Sequence, residues 1–342
     1  MTKAPYDFVT ATFFFFKAVG RRPGGALAIA ISQIVGYVLI AALMIAAFMP
    51  IFSMFIEMEA EGREPSAQQA LTAVGSVGLV GMLGVLLAIM FALSVQGAWL
   101  RLLTRDEVKG GIPLRFGADE LRLFGVNIIF IAFWVIASIA GGIVIAIAGA
   151  GGAGLLAAGE GSVWAGLGAG IVWFLGFVAL AVAAIWICIK FAAAPAMTVN
   201  EQRFRLFESF AATKGIVGWM FLSYLVLVAI ILVGATIISV FQPVVVVAGL
   251  LGSFGTLQGL EHADPETAQE VFEILRQIFT EPGILAAVIL VVLIQIAFQI
   301  LYEGLWHGVG AYAAVRHSGG EAAKAEDISA PAGSVGAAPG EG

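Results

Sequence analysis

Charge is what this 342-residue chain has least of: 12% of its residues are Asp, Glu, Lys or Arg, and 61% are hydrophobic. Mean hydropathy is +1.01. Soluble domains carry about 25% charged and about 45–50% apolar residues, so a soluble globular protein is excluded. Cysteine is almost absent. The single Cys188 rules out an intrachain disulfide and, inside an apolar run, reads as a small buried side chain. Of the three histidines, His262, His307 and His317, no two stand at metal-ligand spacing and no cysteine joins them, so no metal or cofactor is expected. No Walker loop, nucleophile elbow or His–carboxylate hydrolase motif occurs, so no catalytic residue is assigned and an enzyme is not expected. The basic residues are too sparse for a nucleic-acid site. Gly149-Ala-Gly151-Gly-Ala-Gly154 has the glycine spacing of a dinucleotide fingerprint. That motif needs a short strand before it and an acid about 20 residues later. Neither is present, and the expectation is a flexible outer turn.

What the chain does have is six long apolar runs, at about 24–50, 76–100, 124–148, 166–190, 215–241 and 283–305. About 20 residues cross the hydrocarbon core of a bilayer. Backbone groups in lipid must bond internally, so each run should be an α-helix. The apolar–polar alternation of a β-barrel is missing. The expected fold is an all-α polytopic membrane protein with six transmembrane helices and interfacial amphipathic helices, arranged as three parallel two-helix repeats. It divides into a cytoplasmic interfacial segment over 1–23, a six-helix domain over 24–317, and a disordered cytoplasmic tail over 318–342, where apolar surface is too small to fold. The start, Met1 to Asp7, lacks the compact apolar core and cleavage site of a secretory signal.

The few charges are sorted by side. The stretches 1–23, 101–123, 191–214 and 306–342, with Lys190, hold 15 of the 17 Lys and Arg residues. The intervening loops at 51–75, 149–165 and 242–282 hold eleven acids and only Arg63 and Arg276, a sum of −9, and the remainder sums to +3. The net charge of −6 therefore belongs to the outer loops. Bases collect on the cytoplasmic side, which predicts a multi-pass protein of a bacterial inner membrane with both termini cytoplasmic. In the last outer loop, Asp264 and Pro265 open an apolar spacing through Val271, Phe272, Leu275, Ile278 and Phe279 that predicts an amphipathic helix over 264–280.

Each pair of spans is opened by a segment of Phe and base. The first runs from Phe13 through Phe16 and Lys17 to Arg21, Arg22, Pro23 and Gly24. The second runs from Arg115 and Phe116 through Arg122 and Phe124 to Gly125. The third runs from Arg203, Phe204, Arg205 and Phe207 through Phe210 to Lys214 and Gly215. Aromatic and basic residues at span entrances suit helices lying in the headgroup layer. Lys17, Arg21, Arg22, Arg115, Arg122, Arg203 and Arg205 are accordingly candidate headgroup contacts, with membrane lipids, and other membrane proteins beside them, as the expected partners. The second span closes on Gln96-Gly97-Ala98-Trp99 and the sixth on Glu303-Gly304-Leu305-Trp306, and the fourth, at Lys190, keeps only the polar residue. Units with an even number of spans must all run the same way. Over residues 8–316 this layout resembles the YciC-like bacterial six-span proteins and the membrane domain associated with glycerophosphodiester phosphodiesterases. The phosphodiesterase domain has no counterpart here, so the resemblance implies the six-span layout and no activity. It carries over no functional residue.

One constellation is polar within the membrane. Gln295, Gln299, Glu303 and His307 recur every four residues along the sixth span, and such a stripe should turn away from lipid. Placing the three units around an axis sets Gln96, Lys190 and Glu303 at similar depth. An ion pair between Lys190 and Glu303 with Gln96 as neutral third member is the sharpest expectation, with Asn127 and Gln33 adding hydrogen bonds. Simple interhelical glue, and Lys190 reaching to the surface, are the plainer alternatives. Two functions stay open: a non-enzymatic membrane-organising or accessory protein, and a small-solute transporter or channel that uses the stripe.

Overall fold

The architecture was taken from a computed structural model, which describes residues 5–61, 66–108, 113–157, 163–252 and 281–319. The helix expected over 264–280 and the tail from 320 onward lie outside the described residues. Among the described residues there are ten helices and no strand: α1 Phe8–Thr12, α2 Phe14–Arg21, α3 Pro23–Glu61, α4 Ala67–Arg105, α5 Ala118–Ala157, α6 Val163–Phe191, α7 Ala194–Asn200, α8 Glu208–Thr213, α9 Val217–Gly252 and α10 Pro282–Ser318. Six of them, α3, α4, α5, α6, α9 and α10, are long and apolar enough to cross a membrane. The chain is a multi-pass, all-α integral membrane protein.

The six long helices pack mainly as sequence neighbours, α3 on α4, α5 on α6 and α9 on α10. Each hairpin contains one of the span pairs read from the sequence. Short helices precede the first and third hairpins: α1 and α2 lead into α3, and α7 and α8 lead into α9. Before the second, the chain runs from Pro113 to Gly117 without helix and enters α5 at Ala118.

The long helices extend past the apolar runs, which corrects the sequence reading in two places. Most of the acidic stretch 51–75 is helix, because α3 continues through Glu61 and α4 resumes at Ala67. The glycine-rich stretch Gly149–Gly154 is not a turn but part of α5, which runs to Ala157. Gly in a helix costs about 1 kcal/mol against Ala. An unpaired backbone group in an apolar medium costs several. The small glycine cost is borne although Gly149–Gly154 lies beyond the candidate span of α5, Ala118–Ile147; within the spans the second cost keeps the backbone helical. The same comparison accounts for Pro50 inside α3 and Pro243 inside α9, each of which removes only one donor.

Burial is concentrated at the basic end. There Phe14, Phe15, Trp99, Leu103, Met197, Val309 and Tyr312 form one core. Towards the other end, side chains such as Leu39, Ile45, Ile136, Val172 and Val233 are exposed, as surfaces against lipid are. Small residues let the basic end close. Phe15 of α2 seats in a notch over Gly304 and Gly308 of α10, where a Cβ at Gly304 would overlap its ring, and its other edge meets Trp99 of α4 at 5.4 Å between ring centroids. Gly310 lies against the Ala192 carbonyl oxygen so closely that a Cβ would collide with it. Helix α1 begins at Asp7, whose carboxylate accepts from the Val9 N–H at 3.0 Å and the Thr10 hydroxyl at 2.5 Å, an N-cap. Of the glycines expected at span entrances, only Gly215, with φ +78, makes the turn; Gly24 and Gly125 are helical.

Candidate functional site

The polar stripe of α10 divides among three settings. Residues four apart advance by about 400°, so each step drifts roughly 40° and three steps roughly 120°. Gln295, at the start, accepts from Gln242 Nε2 of α9 at 2.9 Å. Glu303 turns to α3: its Oε2 accepts from Gln33 Nε2 at 2.7 Å, and its Oε1 from the Tyr37 hydroxyl at 3.1 Å and from Gln299 Nε2 at 2.7 Å. Gln33, fully buried, also accepts from Trp99 Nε1 of α4 at 3.0 Å. One amide thus joins α3, α4 and α10, and both Glu303 oxygens are occupied. His307 faces a crevice described below.

The expected ion pair between Lys190 and Glu303 is not formed. The Lys190 ammonium lies 5.4 Å from the Trp186 ring centre and 5.9 Å from that of Phe210, at cation–π range. Gln96, the proposed third member, accepts instead from Asn127 Nδ2 of α5 at 2.8 Å. The three residues at equivalent places of the repeat each pair within their own surroundings. Gln33 does add the hydrogen bond expected of it. Tyr37 and Gln242 escaped the sequence reading, and Trp99 entered it only as the close of the second span. Gln33 and Tyr37 stand four apart on one helix face, and that spacing was the available signal.

A second polar cluster went unread. At the basic end of α4, Arg101 donates through Nη1 to Glu120 Oε1 of α5, with side chains 3% and 1% exposed. The other Glu120 oxygen accepts from the Gly117 N–H at 2.9 Å, which caps α5. Arg105 binds Asp119 at 2.7 Å, and Asp119 also receives Arg122 at 2.9 Å. Glu107 lies 3.3 Å from Arg105 and 3.1 Å from Arg115. Gly97 gives the Glu120 carboxylate its room, since a Cβ there would overlap it. In sequence this stretch entered only as one of the basic segments; folded, its charges tie the first hairpin to the second.

The candidate headgroup contacts separate into two kinds. Arg22 pairs with Asp106 at 3.3 Å, Arg115 with Glu107, Arg122 with Asp119, and Arg205 with Glu201 and Glu208, both at 2.8 Å. The hydrogen bond from Arg205 holds the Glu208 carboxyl below its usual range. Lys17, Arg21 and Arg203 have no carboxylate partner among the described residues. Beside these bases each unit exposes two phenylalanines: Phe13 and Phe16, Phe116 and Phe124, Phe204 and Phe207.

Between the hairpins opens a crevice of about 590 Å³, walled by α4, α5, α6, α7, α9 and α10. Phe130, Trp134, Phe221 and Trp306 give it an aromatic lining, and Gln96, Asn127 and His307 contribute polar groups. Among the described residues no Asp, Glu, Lys or Arg lines it. Among the described residues no group of three His, Cys, Asp or Glu side chains is placed to hold a metal. No family model, curated protein or solved structure matches this chain.

Proposed function

We propose that this protein is a non-enzymatic membrane-organising or accessory protein, seated in a bacterial inner membrane with both termini cytoplasmic, whose basic end gathers anionic lipid. The observation that carries this reading is the pair of exposed phenylalanines beside basic residues in every one of the three units. Aromatic rings enter the headgroup boundary while neighbouring bases meet phosphate, and each base near an anionic surface contributes roughly 1 kcal/mol. The 15-to-2 division of Lys and Arg supports the orientation. The three hairpins opened by Phe-and-base segments support placing the chain beside the YciC-like six-span proteins.

The test is lipid selectivity. In vesicles containing spin-labelled phosphatidylglycerol or phosphatidylcholine, the phosphatidylglycerol should be the more strongly immobilised, and salt should narrow the difference. Replacing Lys17, Arg21 and Arg203 together by Gln should narrow it further. Equal immobilisation of the two lipids refutes the reading. The other reading, a small-solute transporter or channel, draws on the polar residues of α10 and requires a water path along them. Cysteines at 295, 299 and 303 that all react with a membrane-impermeant reagent would favour it; protection at 299 and 303 favours a sealed, structural network.

A further inference from the structure

We propose that the crevice between the hairpins is a binding site for a neutral membrane amphiphile, one with a carbonyl- or hydroxyl-bearing head and an apolar chain. The proposal is independent of the anionic-lipid reading, which concerns the outer face of the basic end. Its starting point is the polar groups of the crevice. Neither ring nitrogen of His307 has a hydrogen-bond partner among the described residues. The bond between Asn127 Nδ2 and Gln96 Oε1 leaves the Gln96 amide nitrogen and the Asn127 carbonyl oxygen without one. All three residues lie in helices that cross the membrane. A polar group in an apolar surrounding without a partner is costly. All three stand at the basic-end margins of the apolar runs, where the head of an amphiphile entering the crevice can supply the partner. The groups offer both donors and acceptors, which a carbonyl or hydroxyl can satisfy together.

Charge sets the class of head. Among the described residues the crevice lining holds no Asp, Glu, Lys or Arg. Two charges beside lining residues are engaged elsewhere: Glu303, one turn from His307, receives Gln33, Tyr37 and Gln299, and the Lys190 ammonium, next to Ile189, sits over Trp186 and Phe210. A phosphate head would find no counter-charge, and a neutral head needs none. Size and lining set the rest. A volume of about 590 Å³ falls within the roughly 300–1,000 Å³ of small-molecule sites, which are mostly apolar with a few placed polar groups. The aromatic and aliphatic walls accept a chain arriving sideways from the bilayer.

Trp134 and Trp306 in the wall provide the readout. The full-length protein would be reconstituted in phosphatidylcholine vesicles with a diacylglycerol whose chains carry bromine, a contact quencher of tryptophan. Quenching should saturate at a low mole fraction, and unbrominated diacylglycerol should reverse it. Asn127→Leu and His307→Leu should each weaken this saturable phase at least tenfold. Should either variant fail to fold, Val228→Phe, which fills the crevice from an exposed position, should abolish the saturable phase. Brominated phosphatidylglycerol should show only the gradual quenching of bulk lipid. Quenching by brominated diacylglycerol that rises in simple proportion to its mole fraction overturns the site. Tighter saturable quenching by the phosphatidylglycerol overturns the neutral head. A saturable phase unchanged by Val228→Phe places the binding outside the crevice and overturns the proposal as well.

Discussion

Replacing Glu120 by Gln isolates the buried charge pair that joins the first two hairpins. The amide keeps an acceptor for the Gly117 N–H, bonded at 2.9 Å in the native protein, so the α5 cap persists. What disappears is the negative charge opposite Arg101, whose side chain is only 3% exposed. Breaking a buried ion pair by removing one partner costs about 3–5 kcal/mol, because a desolvated charge is left behind. Glu107 and Asp119 stand in the same cluster and soften the loss, so about 3 kcal/mol is expected. Replacing both members, Arg101→Met with Glu120→Leu, removes the charge and its partner together. Such exchanges are often neutral, and this one should fall within about 1 kcal/mol of the native protein once the lost cap is included. Reversible unfolding of the purified protein in bicelles, followed by helical circular dichroism, measures both. The reasoning fails if Glu120→Gln costs less than about 1 kcal/mol, or if the double variant is as unstable as the two single changes added.

Gly310→Ala should destabilise by roughly 1–3 kcal/mol, because the new methyl meets the Ala192 carbonyl, which is backbone and cannot swing aside; the same unfolding measurement applies, and Gly142→Ala, with open space around it, serves as the control. Gln33→Leu should cost about 1–3 kcal/mol, since Trp99 and Glu303 both lose a partner, and tryptophan emission should shift with it. Exchanging charges, Lys190→Glu with Glu303→Lys, should fare no better than either single change, because the two do not pair; recovery of expression and stability in the double variant would contradict the structure. Acidification should loosen α1. The Thr10 hydroxyl bonded to Asp7 holds its carboxyl below the usual range, so the cap is fully formed above the ordinary Asp value of about 3.9 and is lost as pH falls through the lower folded value. Amide exchange at Val9–Ala11, read at matched intrinsic rates, should rise there, and Asp7→Asn should remove the pH dependence while keeping the cap.

The sequence by itself determined the six spans and the sorting of charge, because both follow from transfer between water and lipid and need no knowledge of neighbours. A run of apolar residues long enough to cross must be helical wherever it lies. It also determined that Glu303 would not face lipid alone, since the cost belongs to the residue. Pairing of the hairpins was legible in the repeated Phe-and-base entrances, although the helices overrun the apolar limits and run on to Glu61 and Ala157. Only the tertiary structure decided who meets whom. Four residues per step drift around a helix, so Gln295, Glu303 and His307 share a stripe in the sequence and face different partners in the fold. Lys190 and Glu303 were complementary in charge, yet the fold sets one beside aromatic rings and the other against Gln33. Arg101 and Glu120 carry no signal of pairing along the chain, and it is Gly97 that leaves room for them between α4 and α5. Charge and hydropathy are properties of single residues and can be read in order along the chain. Partnership depends on which small residues allow two helices to approach, and that is settled in three dimensions.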